Sequence, residues 1–191
     1  MRPTILAFAG STRSESYNKR LIRIAAAGAK EAGAEVTLID LRDYPLPLYD
    51  ADLEASEGLP ANARKLKILF LAHRGLLISA PEYNSSITPV LKNTIDWVSR
   101  PVPNEAPLAC FDGKVASLMS ASPGALGGLR GLVTVRSILQ NIKVIVLPDQ
   151  VAVPRAADAF THDGSLKDPK QHAAAAELGA KLAQVLSKLC A

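Results

Sequence analysis

The chain has 191 residues, 48% of them hydrophobic and 21% charged, which excludes disorder and fits a single domain spanning residues 1–191. Lysine and arginine total 22 against 18 acids, a formal charge of +4 without a long basic run, so a nucleic-acid-binding arm is excluded as well. No apolar stretch approaches the ~20 residues of a membrane span, and Gly10 interrupts the opening "MRPTILAFAG" too early for a signal peptide. The expectation is a cytoplasmic protein with no membrane or nucleic-acid partner.

In chain order, "TILAFAG" is a β-rich run closed by Gly10. From Ser16 to about Ala32 the pattern is helical, with Leu21, Ile24, Ala25 and Gly28 on one face and Gly33 as the terminating residue. "AEVTLIDL" (34–41) is a second strand, and residues 42–60, with three prolines, form a long irregular connection. "ANARKLKILFLAHR" is a helix and "GLLISA" a third strand. Thr88 can N-cap the next helix with Pro89 in its first turn, and Leu91, Ile95 and Val98 give that helix an apolar stripe. A proline-rich loop leads to "KVASLMSA", the fourth strand. A glycine-rich turn, the helix "LVTVRSILQNI" and a fifth strand "KVIVLP" follow. "DPKQHAAAAELGAKLAQVLSKLC" is a long closing helix whose alanines reflect helix propensity. Cys110 and Cys190 make no disulfide framework.

Five short strands, apolar on both faces, alternate with helices. That pattern implies an α/β fold in which helices on both faces cover a parallel sheet. Right-handed crossovers make it doubly wound. Five strands suit the order 2-1-3-4-5, with a ligand crevice at the carboxyl ends of strands one and three.

Three segments reach that edge: 10–18, 80–86 and 120–130. The first, "GSTRSESYN", crowds Ser11, Thr12, Arg13, Ser16 and Asn18 around a helix N-terminus. Unpaired N–H groups and the helix dipole there suit an anion, and the cluster points to a phosphate. Singly, Ser16 either caps the helix or binds the ligand, and Arg13 is either engaged or solvated. Neither G-x-x-x-x-G-K-[ST] nor G-x-G-x-x-G is present, which speaks against nucleotide hydrolysis and the usual dinucleotide cradle. H-E-x-x-H and G-x-S-x-G are missing too, and His73, His162 and His172 are scattered, so no metal site or hydrolytic triad is expected. Three glycines in five residues, Gly124, Gly127 and Gly128, follow the fourth strand. They are either turn residues or mark a close approach of backbone to a ligand.

With "GSTRSESYN", "PEYNSSITPVLKNTIDWVSR" and "SASPGALGGLRG" in this order, the chain resembles the NADPH-dependent FMN reductases, a group that includes chromate, quinone and azo-dye reductases. The resemblance implies a flavodoxin-like fold. It implies that Ser11, Arg13, Ser16 and Asn18 hold the FMN phosphate, with Tyr17 also at the cofactor. Pro81, Glu82, Tyr83 and Asn84 would line the isoalloxazine ring, and Ser120, Ser122, Gly124, Gly127 and Gly128 would border its other side. Arg130, with Tyr83, would lie near substrate or a subunit interface, since relatives are commonly homodimers or homotetramers. On the residues alone, Glu82 is equally a solvated carboxylate, Tyr83 a surface tyrosine and Asn84 a turn former. Arg130 either pairs with a carboxylate or meets the phosphates of the nicotinamide cofactor. Asp96 and Trp97 read as packing and capping residues outside the site.

The implied activity is an FMN-dependent oxidoreductase that takes electrons from NADPH or NADH and passes them to quinones, azo compounds or chromate, with no catalytic side chain of its own because the cofactor carries the chemistry. A flavodoxin-type carrier without turnover and a flavin-less regulatory module are the alternatives. The positive charge argues against the carrier.

Overall fold

A computed structural model describes residues 2–189. Its main sheet contains β1 (Thr4–Ala9), β2 (Glu35–Asp40), β3 (Gly75–Ser79), β6 (Val115–Ala121) and β7 (Ile145–Val153), ordered β2-β1-β3-β6-β7. Every pairing in it is parallel. This is the expected 2-1-3-4-5 arrangement, because β4 (Glu82–Tyr83) and β5 (Ser86–Ile87) form a separate antiparallel hairpin.

The central strands β1, β3 and β6 are buried on both faces because neighbouring side chains along each of them enter different cores, while the edge strands β2 and β7 stay partly exposed. Ile5, Ala7 and Ala9 pack with Leu21 and Ala25 of α1 (Tyr17–Glu31) and Leu178 and Leu182 of α7 (Pro169–Leu189). Leu6 and Phe8 pack with Phe70 of α3 (Ala61–Ala72), Leu91 of α4 (Pro89–Val98) and Val135 of α5 (Leu129–Asn141). Each fully buried leucine or phenylalanine contributes ~1.5–3 kcal/mol. Thr88 caps α4 by accepting from the Leu91 N–H, with Pro89 in the first turn as expected. The same hydroxyl donates to the Gly10 carbonyl at 2.7 Å, tying the start of α4 to the end of β1.

Three expectations are corrected. The 42–60 connection is not irregular throughout: it contains a 3-10 turn (Leu41–Asp43) and α2 (Ala51–Glu57). α5 begins at Leu129, three residues before the expected start, because Gly128 takes the left-handed conformation (φ 90°) and caps it. β7 runs on past Pro148 to Val153. Its pairing with β6 jumps from Ala116–Val146 to Leu118–Gln150, so the proline lies in a bulge where no ladder N–H is required. Arg136 of α5 holds that bulge by donating to the carbonyls of Leu147 (2.8 Å) and Val146 (3.3 Å). A short α6 (Ala156–Ala159) precedes α7, and the expected end of α7 at Cys190 lies outside the described residues.

Candidate active site

The carboxyl ends of β1, β3 and β6 meet at one shallow cleft. It is lined by Ser11, Arg13, Ser16, Tyr17 and Asn18 from the β1–α1 turn. Pro81, Glu82 and Tyr83 follow β3, and Ala121, Ser122 and Pro123 follow β6. Three segments far apart in the chain thus converge where a parallel sheet places its ligands.

The β1–α1 turn is built on burial. Ser11, Ser16 and Asn18 are buried polar residues. Ser16 occupies the N-cap of α1, yet its hydroxyl makes no capping hydrogen bond. Its acceptor role in the helix is unspent, and beside it the N–H groups of Tyr17 and Asn18 lack intrahelical partners by helix geometry, whereas that of Lys19 donates to the Ser16 carbonyl at 3.0 Å. Ser11 accepts from the Arg13 N–H at 3.2 Å, which closes the turn. Arg13 lies over the Tyr17 ring, 5.2 Å from its centroid, and donates to the Glu15 carbonyl through Nε and Nη2. Tyr17 in turn stacks on Phe160 at 6.0 Å.

Asn18 differs from the expectation. Its Nδ2 donates to the Ala121 carbonyl (2.8 Å), and its Oδ1 accepts from the Ala121 N–H (3.0 Å) and the Ser79 hydroxyl (2.8 Å). The side chain is therefore a strut joining α1 to β3 and β6. What it leaves for an anion is chiefly its backbone N–H.

"PEYNSS" folds as the β4–β5 hairpin, with Asn84 (φ 50°) and Ser85 (φ 66°) as its two left-handed tip residues. Asn84 is accordingly a turn former, exposed at the tip and not among the residues lining the cleft. Pro81 is buried and Tyr83 is 56% exposed. Glu82 lines the cleft with its carboxylate already engaged by the protein: it accepts from Arg130 Nε (3.2 Å) and Nη2 (3.1 Å), and from the Gly131 N–H (3.0 Å). Arg130 thus pairs within its own chain and fastens the hairpin to the first turn of α5.

The glycine turn makes its close contacts within the protein. A Cβ on Gly127 (φ 62°) would stand 2.7 Å from the Val153 carbonyl carbon, and one on Gly128 would stand 2.0 Å from Ser120 Oγ. The close approach that demands these glycines is to the protein itself. Gly124 closes the turn by donating to Ser122 Oγ at 3.3 Å. Ser120 is fully buried, and its hydroxyl has no hydrogen-bond partner among the described residues.

A support that sequence reasoning left out lies in α4. Asn93 Nδ2 and Trp97 Nε1 both donate to the Pro47 carbonyl at 2.8 Å, and Asn93 Oδ1 accepts from the Tyr49 N–H. Arg100 donates to both oxygens of Glu54 at 2.9 Å. Burial alone would raise the Glu54 carboxyl, but Arg100 and Tyr49 outweigh it and hold it below its ordinary range. The "KNTIDW" helix is a strap for the 42–60 connection. Its amide and indole at spacing i, i+4 were the available signal.

Comparison with known proteins agrees with this geometry. The family model for NADPH-dependent FMN reductases matches residues 3–158. An NAD(P)H-dependent FMN reductase of Pseudomonas aeruginosa is 36% identical over 87% of this chain and 85% of its own length. A quinone reductase of Escherichia coli is 35% identical over 75% of this chain and 72% of its own. Among solved structures, a flavoenzyme NAD(P)H:(acceptor) oxidoreductase of Paracoccus denitrificans superposes with a TM-score of 0.81 at 26% identity, covering 97% and 98% of the two chains.

Proposed function

The chain belongs to the NADPH-dependent FMN reductase family, and from that premise we propose that it is an FMN-dependent NAD(P)H oxidoreductase delivering electrons to quinones. The observation that carries the reading is the joint lining of one cleft by the 11–18, 81–83 and 121–123 segments, with a buried, uncommitted Ser16 hydroxyl at the helix N-terminus.

The residues present fit FMN. Ser16, the N–H groups of Tyr17 and Asn18, and Ser11 would hold the phosphate, with the Arg13 guanidinium at the rim to neutralise it. Pro81 and Tyr83 supply the stiff, partly apolar wall that a flat ring needs, and Ser122 and Pro123 the opposite wall. Ser120, buried without a partner beside Gly128, is a positioning hydroxyl under that wall. Bound FMN supplies the redox chemistry, taking two electrons from the nicotinamide donor and releasing them to the acceptor. The protein's part is orientation. Asn18 locks the three walls to one another, and the Glu82–Arg130 pair fixes the hairpin. The openness of the cleft lets donor and acceptor reach the same face in turn. Azo compounds and chromate are further acceptors that such an open site admits.

We also assign a homodimer or homotetramer, formed through the side of the site where Tyr83, Leu126, Leu129 and Val133 expose apolar surface on the hairpin and on α5 and the turn before it. Among the described residues no helix is long and apolar enough to cross a membrane, and the free, buried Cys110 suits the reducing cytoplasm. Steady-state oxidation of NADPH and NADH with a quinone, using purified protein loaded with FMN, tests the activity. Turnover that requires FMN is expected. Bound FMN with no donor oxidation would favour an electron carrier, and no FMN uptake a flavin-less module.

A further inference from the structure

A second cavity adjoins the phosphate turn on its far side. It encloses ≈ 280 Å³ between the 3-10 turn after β2 and the first half of α4, and Thr12, Arg42, Tyr44, Leu46, Val90 and Asn93 line it. Ser11 and Arg13 line the flavin cleft while Thr12, between them, lines this cavity. One loop residue therefore separates the two spaces. The volume is close to the ~300 Å³ floor of small-ligand clefts.

Its walls are held before any ligand arrives. Asn93 is spent on Pro47 and Tyr49, Asn62 donates to the Pro45 carbonyl at 2.9 Å, and Thr94 donates to the Val90 carbonyl at 2.8 Å. Arg42 is fixed at its base, where its N–H donates to Asp40 Oδ1 (3.0 Å) and its Nε to the Thr12 carbonyl (2.9 Å). Asp40 is itself taken by Lys19 at 2.6 Å, and among the described residues the Arg42 guanidinium forms no ion pair. The exposed Arg42 guanidinium, held through Nε with uncommitted terminal nitrogens in a cavity lined by no carboxylate, suits an anion such as a phosphate. The cavity on the other side of Asp40 lacks this chemistry, since Asp40 and Asp43 line it alongside Lys19 and Arg23.

We propose that this cavity receives the adenosine end of the electron donor, with Arg42 binding the 2′-phosphate and Tyr44, Leu46 and Val90 covering the base, so that the protein selects NADPH over NADH. The assignment rests on the nicotinamide-dependent activity proposed above. It gives the half of the dinucleotide that does not meet the flavin a place beside the turn that seats the FMN phosphate.

Calorimetric binding of 2′,5′-ADP and 5′-AMP to FMN-loaded protein, with and without Arg42→Ala, tests it. Wild type should bind 2′,5′-ADP tighter than 5′-AMP and in competition with NADPH. Arg42→Ala should weaken 2′,5′-ADP by roughly 10- to 100-fold, the loss of a charged hydrogen bond, and lower the NADPH-over-NADH ratio of kcat/KM through the NADPH KM. Arg42→Lys, which keeps the charge without the fork, should fall between. Equal weakening of both nucleotides, or none, overturns the assignment while leaving the oxidoreductase reading intact. So does an Arg42→Ala protein that loses FMN affinity instead, which would place Arg42 at the flavin phosphate. A wild type that holds FMN but oxidises neither donor and binds no 2′,5′-ADP overturns both.

Discussion

Replacing Ser16 by alanine separates ligand binding from helix stability, two roles that a serine at a helix start usually combines. An N-cap serine that hydrogen-bonds its helix contributes ~1 kcal/mol to folding. Here the residue sits at the N-cap but makes no such bond, and it is buried beside the turn. The flavin-free Ser16→Ala protein should therefore unfold in urea within ~0.5 kcal/mol of wild type, the spread of a substitution away from any specific interaction. FMN should respond differently. A hydrogen bond to a charged group is worth ~1.5–3 kcal/mol, so the dissociation constant should rise by about 10- to 150-fold. Quenching of flavin fluorescence on titration into apoprotein measures the second quantity, and urea denaturation monitored by circular dichroism the first. The reverse result, a loss of ~1 kcal/mol in folding with FMN affinity unchanged, would refute the reasoning and return Ser16 to simple capping.

Other perturbations follow from the same geometry. Asn18→Ala leaves the Ala121 N–H and carbonyl and the Ser79 hydroxyl without their buried partner. It should cost roughly 2–5 kcal/mol of folding, read as a lower urea midpoint at unchanged slope, and an unaltered midpoint would contradict the strut. Val133 is 64% exposed, so Val133→Glu should leave the melting temperature nearly unchanged while light scattering shows smaller assemblies; an unchanged mass would remove this face from the interface. Burial alone would raise the Asp40 carboxyl, but the hydrogen bond and charge of Lys19, with the N–H and the charge of Arg42, leave it below its ordinary value. The native form therefore holds its proton less tightly than the unfolded chain. The stability this contributes is complete above ~3.9 and is lost as pH falls from there through the lower native value. Lys19→Met should flatten that part of an acid-denaturation curve, and a curve parallel to wild type would contradict the pairing.

The sheet was legible because its central strands are apolar on both faces and the helix boundaries carry local signals. Thr88-Pro89 and Gly33 marked α4 and the end of α1 without any tertiary information. The β4–β5 hairpin was not legible, since two-residue strands leave no periodicity to read and Asn84-Ser85 is a weaker turn signal than Asn-Gly. Pro148 ended the fifth strand in the sequence because proline withholds a donor. Only the bulge, closed by Arg136 from another element, lets the strand continue. Within the site, residue types and their place at the strand ends could be read, but the partners of each group could not. Glu82 meets Arg130 from 48 positions away, Asn18 meets Ala121 from 103, and the glycines of the 124–128 turn meet Ser120 and Val153. In each case a residue whose type suits a ligand is committed to the protein by a contact that exists only after folding. The free Ser16 hydroxyl is the opposite case, because a serine at an N-cap normally implies a bond that folding does not form here.

The most direct measurement compares FMN with riboflavin, which lacks only the phosphate, by calorimetric titration of the flavin-free wild-type protein. One FMN per chain should bind, at least ~100-fold tighter than riboflavin, because two or more charged hydrogen bonds at the β1–α1 turn are available to the phosphate alone. Equal affinity for the two flavins, or no saturable binding of FMN, would contradict a phosphate seat at this turn and with it the account of the cleft.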